Sequence, residues 1–178
     1  MPEKDRQGFA IYLTGLPSSG KTTLAHALRE MLSQRGISVQ VLDSDEMRRI
    51  LTPNPTYSSP EREWFYEVLA FIASLLVNNG VNVIIAATAP LQAHRQAARS
   101  RIHRFAEVYL HCPPEVCRAR DPKGLWKRAD AGEIRTLPGA GVPYEPPESP
   151  EMRVDTEHLS AQKAASLVIG PLKDKGFI

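Results

Sequence analysis

Apolar residues along this chain form two patterns that alternate from the amino end to the carboxyl end. Short continuous apolar runs, such as FAIYLT over 9–14, are typical of strands covered on both faces. Such runs predict strands over 9–14, 38–42, 81–87, 105–111 and, as a short fifth strand, 152–154. Apolar residues spaced three or four positions apart predict helices over 21–34, 60–78, about 91–102, 114–119 and 160–175. This alternation indicates an α/β fold with a mostly parallel sheet.

Residues 136–150 interrupt this alternation. The segment TLPGAGVPYEPPESP holds five prolines and two glycines, a composition that predicts an extended loop. A linker between domains is one interpretation, but little chain follows for a linker to join. We therefore expect a loop that covers a substrate.

Length, charge and cysteine content narrow the class of protein. The 178 residues and 19.7 kDa fit a single domain over 1–178. The net charge is +2, from 22 Lys and Arg against 20 Asp and Glu, which excludes a nucleic-acid partner held by bulk charge. No apolar run reaches the roughly 18 residues of a membrane span, so no membrane partner is expected, and MPEKDRQGF lacks a signal-peptide core. The two cysteines form no CxxC pair, and we expect a reduced, cytoplasmic protein.

The most specific motif among the local patterns is GLPSSGKT over residues 15–22, which fits GxxxxGK[ST]. It follows a predicted buried strand and opens a predicted helix, the context that a phosphate-binding P-loop requires. The candidate cofactor-binding residues of this segment are Gly15, Pro17, Ser18, Ser19, Gly20, Lys21, Thr22 and Thr23.

The chemistry of nucleotide phosphates explains this spacing. Glycines let backbone N–H groups converge on phosphate oxygens, and the helix N-terminus adds its positive end. Lys21 is expected to reach the β- and γ-phosphates, and the Thr22 hydroxyl to bind Mg²⁺. ATP and Mg²⁺ are therefore the predicted cofactors. The motif alone does not separate kinases from GTPases or motor ATPases.

Two carboxylates, Asp43 and Asp45, stand at the end of the second predicted strand. Strand ends on the P-loop side of an open α/β sheet line the ligand crevice. A carboxylate there can deprotonate an acceptor hydroxyl or hold metal-bound water, so Lys21, Asp43 and Asp45 are the candidate catalytic residues. Capping of a following helix is the alternative role, and Asp43 or Ser44 can cap while Asp45 faces the site. Thr22 and Asp45 are the candidate metal ligands.

Longer segments resemble the adenylylsulfate kinase family of P-loop kinases. The most specific is EVCRARDPKGLWKRADAGEI over 115–134, and VPYEPPESPEMRVDT over 142–156 is also similar to the family. GLPSSGKTTLA, LDSDEMRR over 42–49 and YSSPER over 57–62 add to the resemblance. It implies a three-layer P-loop NTPase fold, a five-stranded sheet flanked by helices, and a lid at about 120–135. It also implies transfer of the ATP γ-phosphate to the 3′-hydroxyl of adenosine 5′-phosphosulfate.

The resemblance carries binding roles to single positions. Arg120 matches the arginine that stacks on the donor adenine, Arg48 and Arg62 match anion contacts, and Tyr57 matches an aromatic residue on the acceptor base. The acceptor positions that it implies are Arg48, Tyr57, Arg62, Pro90, Lys127 and Leu137.

The acceptor half departs from the family pattern at several positions. Trp64-Phe65-Tyr66-Glu67-Val68 stands where the family has Glu-Asn-Ile-Arg-Arg, Ala89 replaces a serine, and Leu137 replaces a phenylalanine. A related kinase with a different anionic acceptor is therefore an alternative, and a nucleotide-binding module without turnover is a third. A homodimer is left open. Arg95, Arg99 and Arg101 are expected to face solvent.

Overall fold

The structure, a computed structural model, describes residues 7–178 and contains five strands and seven helices in that part of the chain. The strands are β1 (Ala10–Thr14), β2 (Val39–Asp43), β3 (Asn82–Ala86), β4 (Phe105–His111) and β5 (Met152–Asp155). The helices are α1 (Lys21–Ser33), α2 (Ser44–Leu51), α3 (Ser59–Asn78), α4 (Gln92–Arg101), α5 (Pro114–Arg120), α6 (Leu125–Asp130) and α7 (Ala161–Asp174).

The five strands form one parallel sheet in the order β2-β3-β1-β4-β5. The central strand β1 pairs Ile11 with Ile84 of β3 and with Ala106 of β4. Because the strands are parallel, their carboxyl ends lie along a single edge of the sheet, next to the segments that follow β1, β2 and β3. The predicted fold class is confirmed.

Helices cover both faces of the sheet, which explains why its central strands β1 and β3 are almost entirely apolar. Ile11 and Leu13 of β1 point into a core shared with α1 and α7, while Ala10 and Tyr12 point into a second core against α3 and α4. A strand buried on both sides has no polar face to alternate with its apolar one. The sheet is therefore the middle of three layers.

Residues of α5, α6 and the proline-rich segment contribute to a third, smaller apolar cluster. Trp126 of α6 is fully buried there and packs with Cys112, Cys117 and Leu137. Between α6 and β5 the chain has no further helix or strand, apart from an isolated bridge between Pro138 and Val142. Residues 136–150 thus contain no helix, and Leu137 packs against Trp126 of α6.

The expectation that Arg95 and Arg99 face solvent is wrong. Arg95 is only 2% exposed, and its Nε lies 2.8 Å from Oε1 of Glu107, a buried carboxylate on β4. Arg99 lies 2.8 Å from Glu151, just before β5, and 3.3 Å from Glu107. Arg101 is more exposed and pairs with Glu67. The sequence interpretation did not take Glu107 into account. Glu107 is a charged residue inside a largely apolar strand, and a buried charge of this kind requires a partner.

Among residues 7–178, none of the helices combines the length and the apolar character that crossing a lipid bilayer would require.

Candidate active site

The P-loop lies between β1 and α1, and its backbone conformation depends on two glycines. Gly20 caps α1 with a φ of 95°, which L side chains rarely adopt. At Gly15 a Cβ atom would lie 2.7 Å from the Leu110 carbonyl oxygen and 2.8 Å from the Ser19 hydroxyl. These two constraints explain why the motif has glycine at both ends. The first turn of α1, residues 21–23, lies on the wall of a large cavity.

Lys21 folds back over the P-loop. Its Nζ donates hydrogen bonds to the carbonyl oxygens of Gly15 at 3.0 Å and of Leu16 at 2.8 Å. Burial lowers the pKa of this ammonium group to about 8, although the nearby Asp45 carboxylate acts in the opposite direction. Lys21 is therefore a cation held at the loop whose charge titrates close to neutral pH.

The two carboxylates Asp43, at the end of β2, and Asp45, at the start of α2, contact different partners. Asp43 caps α2 by accepting from the Asp45 N–H at 2.9 Å, and its other oxygen accepts from the Thr22 hydroxyl at 2.6 Å. Asp45 forms an ion pair with Lys123, which lies between α5 and α6. Capping and a place in the site thus coexist, but it is Asp43, not Asp45, that contacts Thr22.

A single cavity of about 1490 Å³ connects most of the predicted site. It runs from the P-loop past both carboxylates to the start of α3 and the segment around 134–138. The predicted residues on its wall are Pro17, Ser18, Ser19, Gly20, Lys21, Thr22, Thr23, Asp43, Asp45, Arg48, Tyr57, Arg62, Arg120 and Leu137. Gly15, Pro90 and Lys127 are not on its wall.

Two arginines and a tyrosine form the end of the cavity away from the P-loop. Arg62 is 9% exposed, donates from Nε to the Tyr57 carbonyl at 3.0 Å and from Nη2 to the Thr136 carbonyl. Arg48 is 7% exposed, and its two terminal nitrogens have no hydrogen-bond partner. Its guanidinium carbon lies 5.1 Å from the Tyr57 ring centre. This end carries two positive charges, which suits an anionic ligand.

The other predicted binding residues have structural partners. Arg120 donates to the Thr156 carbonyl at 2.7 Å while remaining on the cavity wall. Leu137 is 6% exposed and packs mainly in the cluster around Trp126. Pro90 accepts from the Glu145 N–H at 2.7 Å, and the Lys127 N–H donates to Asp121 at 3.0 Å. Pro90 and Lys127 thus lie off the cavity wall, and these two hydrogen bonds involve their backbone groups.

Glu67, which stands where the resemblance places an arginine, lies outside the cavity. Its carboxylate pairs with Arg101 on the surface and is about half exposed. The substitution therefore removes a positive charge near α3 but adds no negative charge to the cavity wall. This placement removes one argument for a different acceptor.

Sequence reasoning missed two residues that shape the site. Glu61 accepts from the N–H groups of Thr56 at 2.9 Å and Tyr57 at 2.7 Å, which fixes the turn that presents Tyr57. Ser58 and Glu61 have the spacing of a capping box, but Ser58 makes no side-chain cap hydrogen bond, and the sequence does not indicate that Glu61 would bind the N–H groups of Thr56 and Tyr57. Trp126 donates from its indole nitrogen to the Pro17 carbonyl at 3.1 Å. Those residues are 109 positions apart, and no local pattern indicates that contact.

Comparison with known proteins found a matching family model, similar sequences and similar structures. Residues 7–155 match the model of the adenylylsulphate kinase family. A probable adenylyl-sulfate kinase of Pyrococcus abyssi is 42% identical over 97% of this chain and 99% of its own. A probable adenylyl-sulfate kinase of Archaeoglobus fulgidus is 45% identical over 84% of this chain and 96% of its own. The APS kinase CysC of Mycobacterium tuberculosis, solved with AMPPNP and APS, is similar in structure with a TM-score of 0.89. It is 35% identical, over 94% of this chain and 98% of that one.

Proposed function

Because this chain belongs to the adenylylsulfate kinase family, we propose that it transfers the ATP γ-phosphate to the 3′-hydroxyl of adenosine 5′-phosphosulfate. It is an ATP-dependent phosphotransferase. The observation that carries the choice of acceptor is the single cavity, which joins the P-loop to Arg48 and Arg62 with two carboxylates between them. The donor and acceptor phosphates thus have separate positive sites in one space.

The donor half of the site consists of the P-loop, Lys21 and Arg120. Backbone N–H groups of the loop bind the ATP phosphates, Lys21 pairs with their outer oxygens, and Arg120 lies on the wall where the adenine stacks. The Thr22 hydroxyl and the Asp43 carboxylate, 2.6 Å apart, are the hard oxygen ligands that suit Mg²⁺. When bound, Mg²⁺ would neutralise charge on the transferred phosphate.

The acceptor half consists of Tyr57, Arg48 and Arg62. Tyr57 is 39% exposed at the cavity wall and offers an aromatic face to a nucleobase. Arg48 and Arg62 supply the positive charge that an acceptor with a phosphosulfate group requires. Asp45 lies on the wall of the same cavity and is the candidate general base.

The reaction needs one proton transfer and one bond exchange. Asp45 accepts the proton of the 3′-hydroxyl while the oxygen of that hydroxyl bonds to the γ-phosphorus. The bond from that phosphorus to the bridging oxygen breaks, and ADP leaves with the electron pair. The products are ADP, a proton passed on to solvent, and 3′-phosphoadenylylsulfate. Lys21 stabilises the charge that shifts toward ADP during transfer.

We infer a cytoplasmic location and no nucleic-acid partner, which the free cysteines Cys112 and Cys117 and the near-neutral charge support. A homodimer is a further proposal. It is supported by three exposed apolar residues of α3, namely Trp64, Phe71 and Leu75.

A measurement of ADP release tests the choice of acceptor. With ATP and Mg²⁺, adenylylsulfate should stimulate release strongly, while AMP, which lacks the sulfate, should not. Lys21→Ala serves as the inactive control. Equal stimulation by AMP, or release that no acceptor changes, would refute the proposal.

A further inference from the structure

We propose that Phe65 is a positioning residue for acceptor recognition, because it holds the Arg48 guanidinium by its face and leaves both terminal nitrogens of that buried group without a protein hydrogen-bond partner. The inference deepens the proposed function and rests on it. The guanidinium carbon of Arg48 lies 3.7 Å from the centre of the Phe65 ring. This is the shortest such distance among the cation–aromatic contacts of residues 7–178.

Arg48 is buried without the partners that a buried cation normally has. It is 7% exposed, and neither Nη1 nor Nη2 makes a hydrogen bond. The nearest carboxylate oxygen, on Glu61, is 4.0 Å from Nη1. Burial of a charge without hydrogen-bond partners is unfavourable. Its surroundings must therefore offset the unfavourable free energy, or a ligand must supply the missing hydrogen bonds.

Glu61 is held away from Arg48 by its own hydrogen bonds. Both of its carboxylate oxygens accept backbone N–H groups, from Thr56 at 2.9 Å and from Tyr57 at 2.7 Å. These bonds lower the pKa of Glu61 and keep it ionised. The carboxylate therefore contributes negative charge at a distance but does not occupy the in-plane donors of Arg48.

Aromatic rings surround the guanidinium instead. Besides Phe65, the ring centres of Tyr57 and Tyr66 lie 5.1 and 5.7 Å from the guanidinium carbon. An aromatic face attracts a cation without consuming its N–H donors, which point outward in the guanidinium plane. A carboxylate partner would bind those same donors. Stacking thus fixes the plane of Arg48 and leaves its hydrogen-bonding capacity for the sulfate or phosphate oxygens of the acceptor.

Phe65 is well placed to define that plane because it is part of the rigid core. It is 0% exposed on α3 and meets Tyr66 edge to face with ring centres 5.4 Å apart. Arg48, on α2, therefore takes its orientation from a neighbouring helix. The resemblance places an asparagine at position 65, so the ring supplies support for an arginine where the family has a polar side chain.

A double-mutant cycle tests this role in the full-length enzyme. Phe65→Leu should raise the KM for adenylylsulfate about 10-fold and leave the KM for ATP within about 2-fold, because a desolvated cation–aromatic contact is lost on the acceptor side only. In an Arg48→Met background the same change should add less than about 2-fold. Phe9→Leu is the matched control, since Phe9 is equally buried but packs against Phe177 at the opposite end of the sheet.

Three results would overturn the inference: an equal effect of Phe65→Leu in both backgrounds, an equal rise in the KM for ATP, or an equal effect of Phe9→Leu. Should Phe65→Leu fail to fold, Phe65→Met, which also lacks a ring, replaces it. If wild type does not phosphorylate adenylylsulfate, the proposed function fails. The double-mutant cycle of Phe65 and Arg48 is then evaluated from the urea-denaturation midpoints of the same variants. Non-additive midpoints support the contact between Phe65 and Arg48, and additive ones contradict it.

Discussion

At the scale of single residues, Asp43 at the end of β2 and Asp45 at the start of α2 have different contacts and therefore different proposed roles. The sequence alone did not assign these roles. Asp43 binds the Thr22 hydroxyl and caps α2, which ties it to the phosphate side of the site. Asp45 is about half exposed and pairs with a lid cation, Lys123. A carboxylate paired with an exposed lysine can be released to an acceptor hydroxyl, whereas Asp43 accepts a hydrogen bond at each of its oxygens.

Conservative amide substitutions should separate these tasks. Asp43→Asn should raise the Mg²⁺ concentration for half-maximal turnover about 10- to 100-fold, as expected for a residue that holds or orients a metal ligand. Asp45→Asn should lower kcat about 10²- to 10⁴-fold even at saturating Mg²⁺, because a general base is lost. Titration of ADP release with Mg²⁺ measures both. The reverse pattern would show that the two roles are exchanged.

Lys21 should make nucleotide binding depend on pH. Burial lowers its pKa to about 8, and only the protonated form attracts phosphate, so the competent fraction of free enzyme falls as pH rises through about 8. ATP binding should then weaken above this pH and take up a proton. Calorimetry in two buffers of different ionisation heat measures the uptake, and Lys21→Arg, which does not titrate, should abolish it. Affinity that is constant between pH 7 and 9 would contradict the assignment.

At the scale of secondary-structure elements, one side-chain hydrogen bond connects α6 to the P-loop. The Trp126 indole is fully buried and donates to the Pro17 carbonyl at 3.1 Å. The Arg118 guanidinium lies 4.8 Å from the centre of the same ring. The lid and the phosphate site therefore share a buried hydrogen bond, and its loss should affect both.

Trp126→Phe keeps an aromatic ring but removes the indole N–H. The Pro17 carbonyl then lacks its donor, which should lower the free energy of unfolding by about 1–3 kcal/mol and raise the KM for ATP. Urea denaturation and steady-state kinetics measure the two effects. Trp64→Phe is the matched control, because Trp64 is 49% exposed and its loss should change stability by less than about 0.5 kcal/mol. Comparable losses in both variants would show that the indole hydrogen bond is unimportant.

At the scale of the whole molecule, an ion-pair network ties the sheet to the segments on one side of it. Glu107 of β4 lies between Arg95 and Arg99, and Arg99 also pairs with Glu151 just before β5. Lys175, after α7, lies 3.4 Å from Glu151. The network therefore joins α4, β4, the segment just before β5 and the carboxyl-terminal region.

Glu151 should make the fold sensitive to acid. Burial alone would raise its pKa, but hydrogen bonds from Arg99 and from the Glu107 N–H outweigh it and hold the pKa at about 2. A lowered carboxyl pKa stabilises the fold above the ordinary value near 4.5, and this contribution, about 3 kcal/mol at most, disappears as pH falls from about 4.5 through 2. Glu151→Gln should flatten that part of the stability profile, and exposed Glu148→Gln should not. An unchanged profile for Glu151→Gln would contradict the network's role.

Much of the fold could be predicted because it follows from local patterns. The P-loop is a contiguous motif, and strands such as 105–111 appear as apolar runs of the observed length. The ion pairs of Arg95 could not be predicted, since an amphipathic helix pattern does not show that Glu107 lies beneath it. The same limit applies to Trp126 and Pro17, and to the choice between Asp43 and Asp45. Each depends on which distant residues the topology brings together.

The most direct test of the central claim is identification of the reaction product by ³¹P NMR. Wild-type protein with ATP, Mg²⁺ and adenylylsulfate should yield one ADP for each new phosphate monoester on the ribose 3′-oxygen, with the phosphosulfate group intact. Lys21→Ala should yield neither signal. The account would be contradicted if ADP formed with free phosphate while adenylylsulfate remained unchanged.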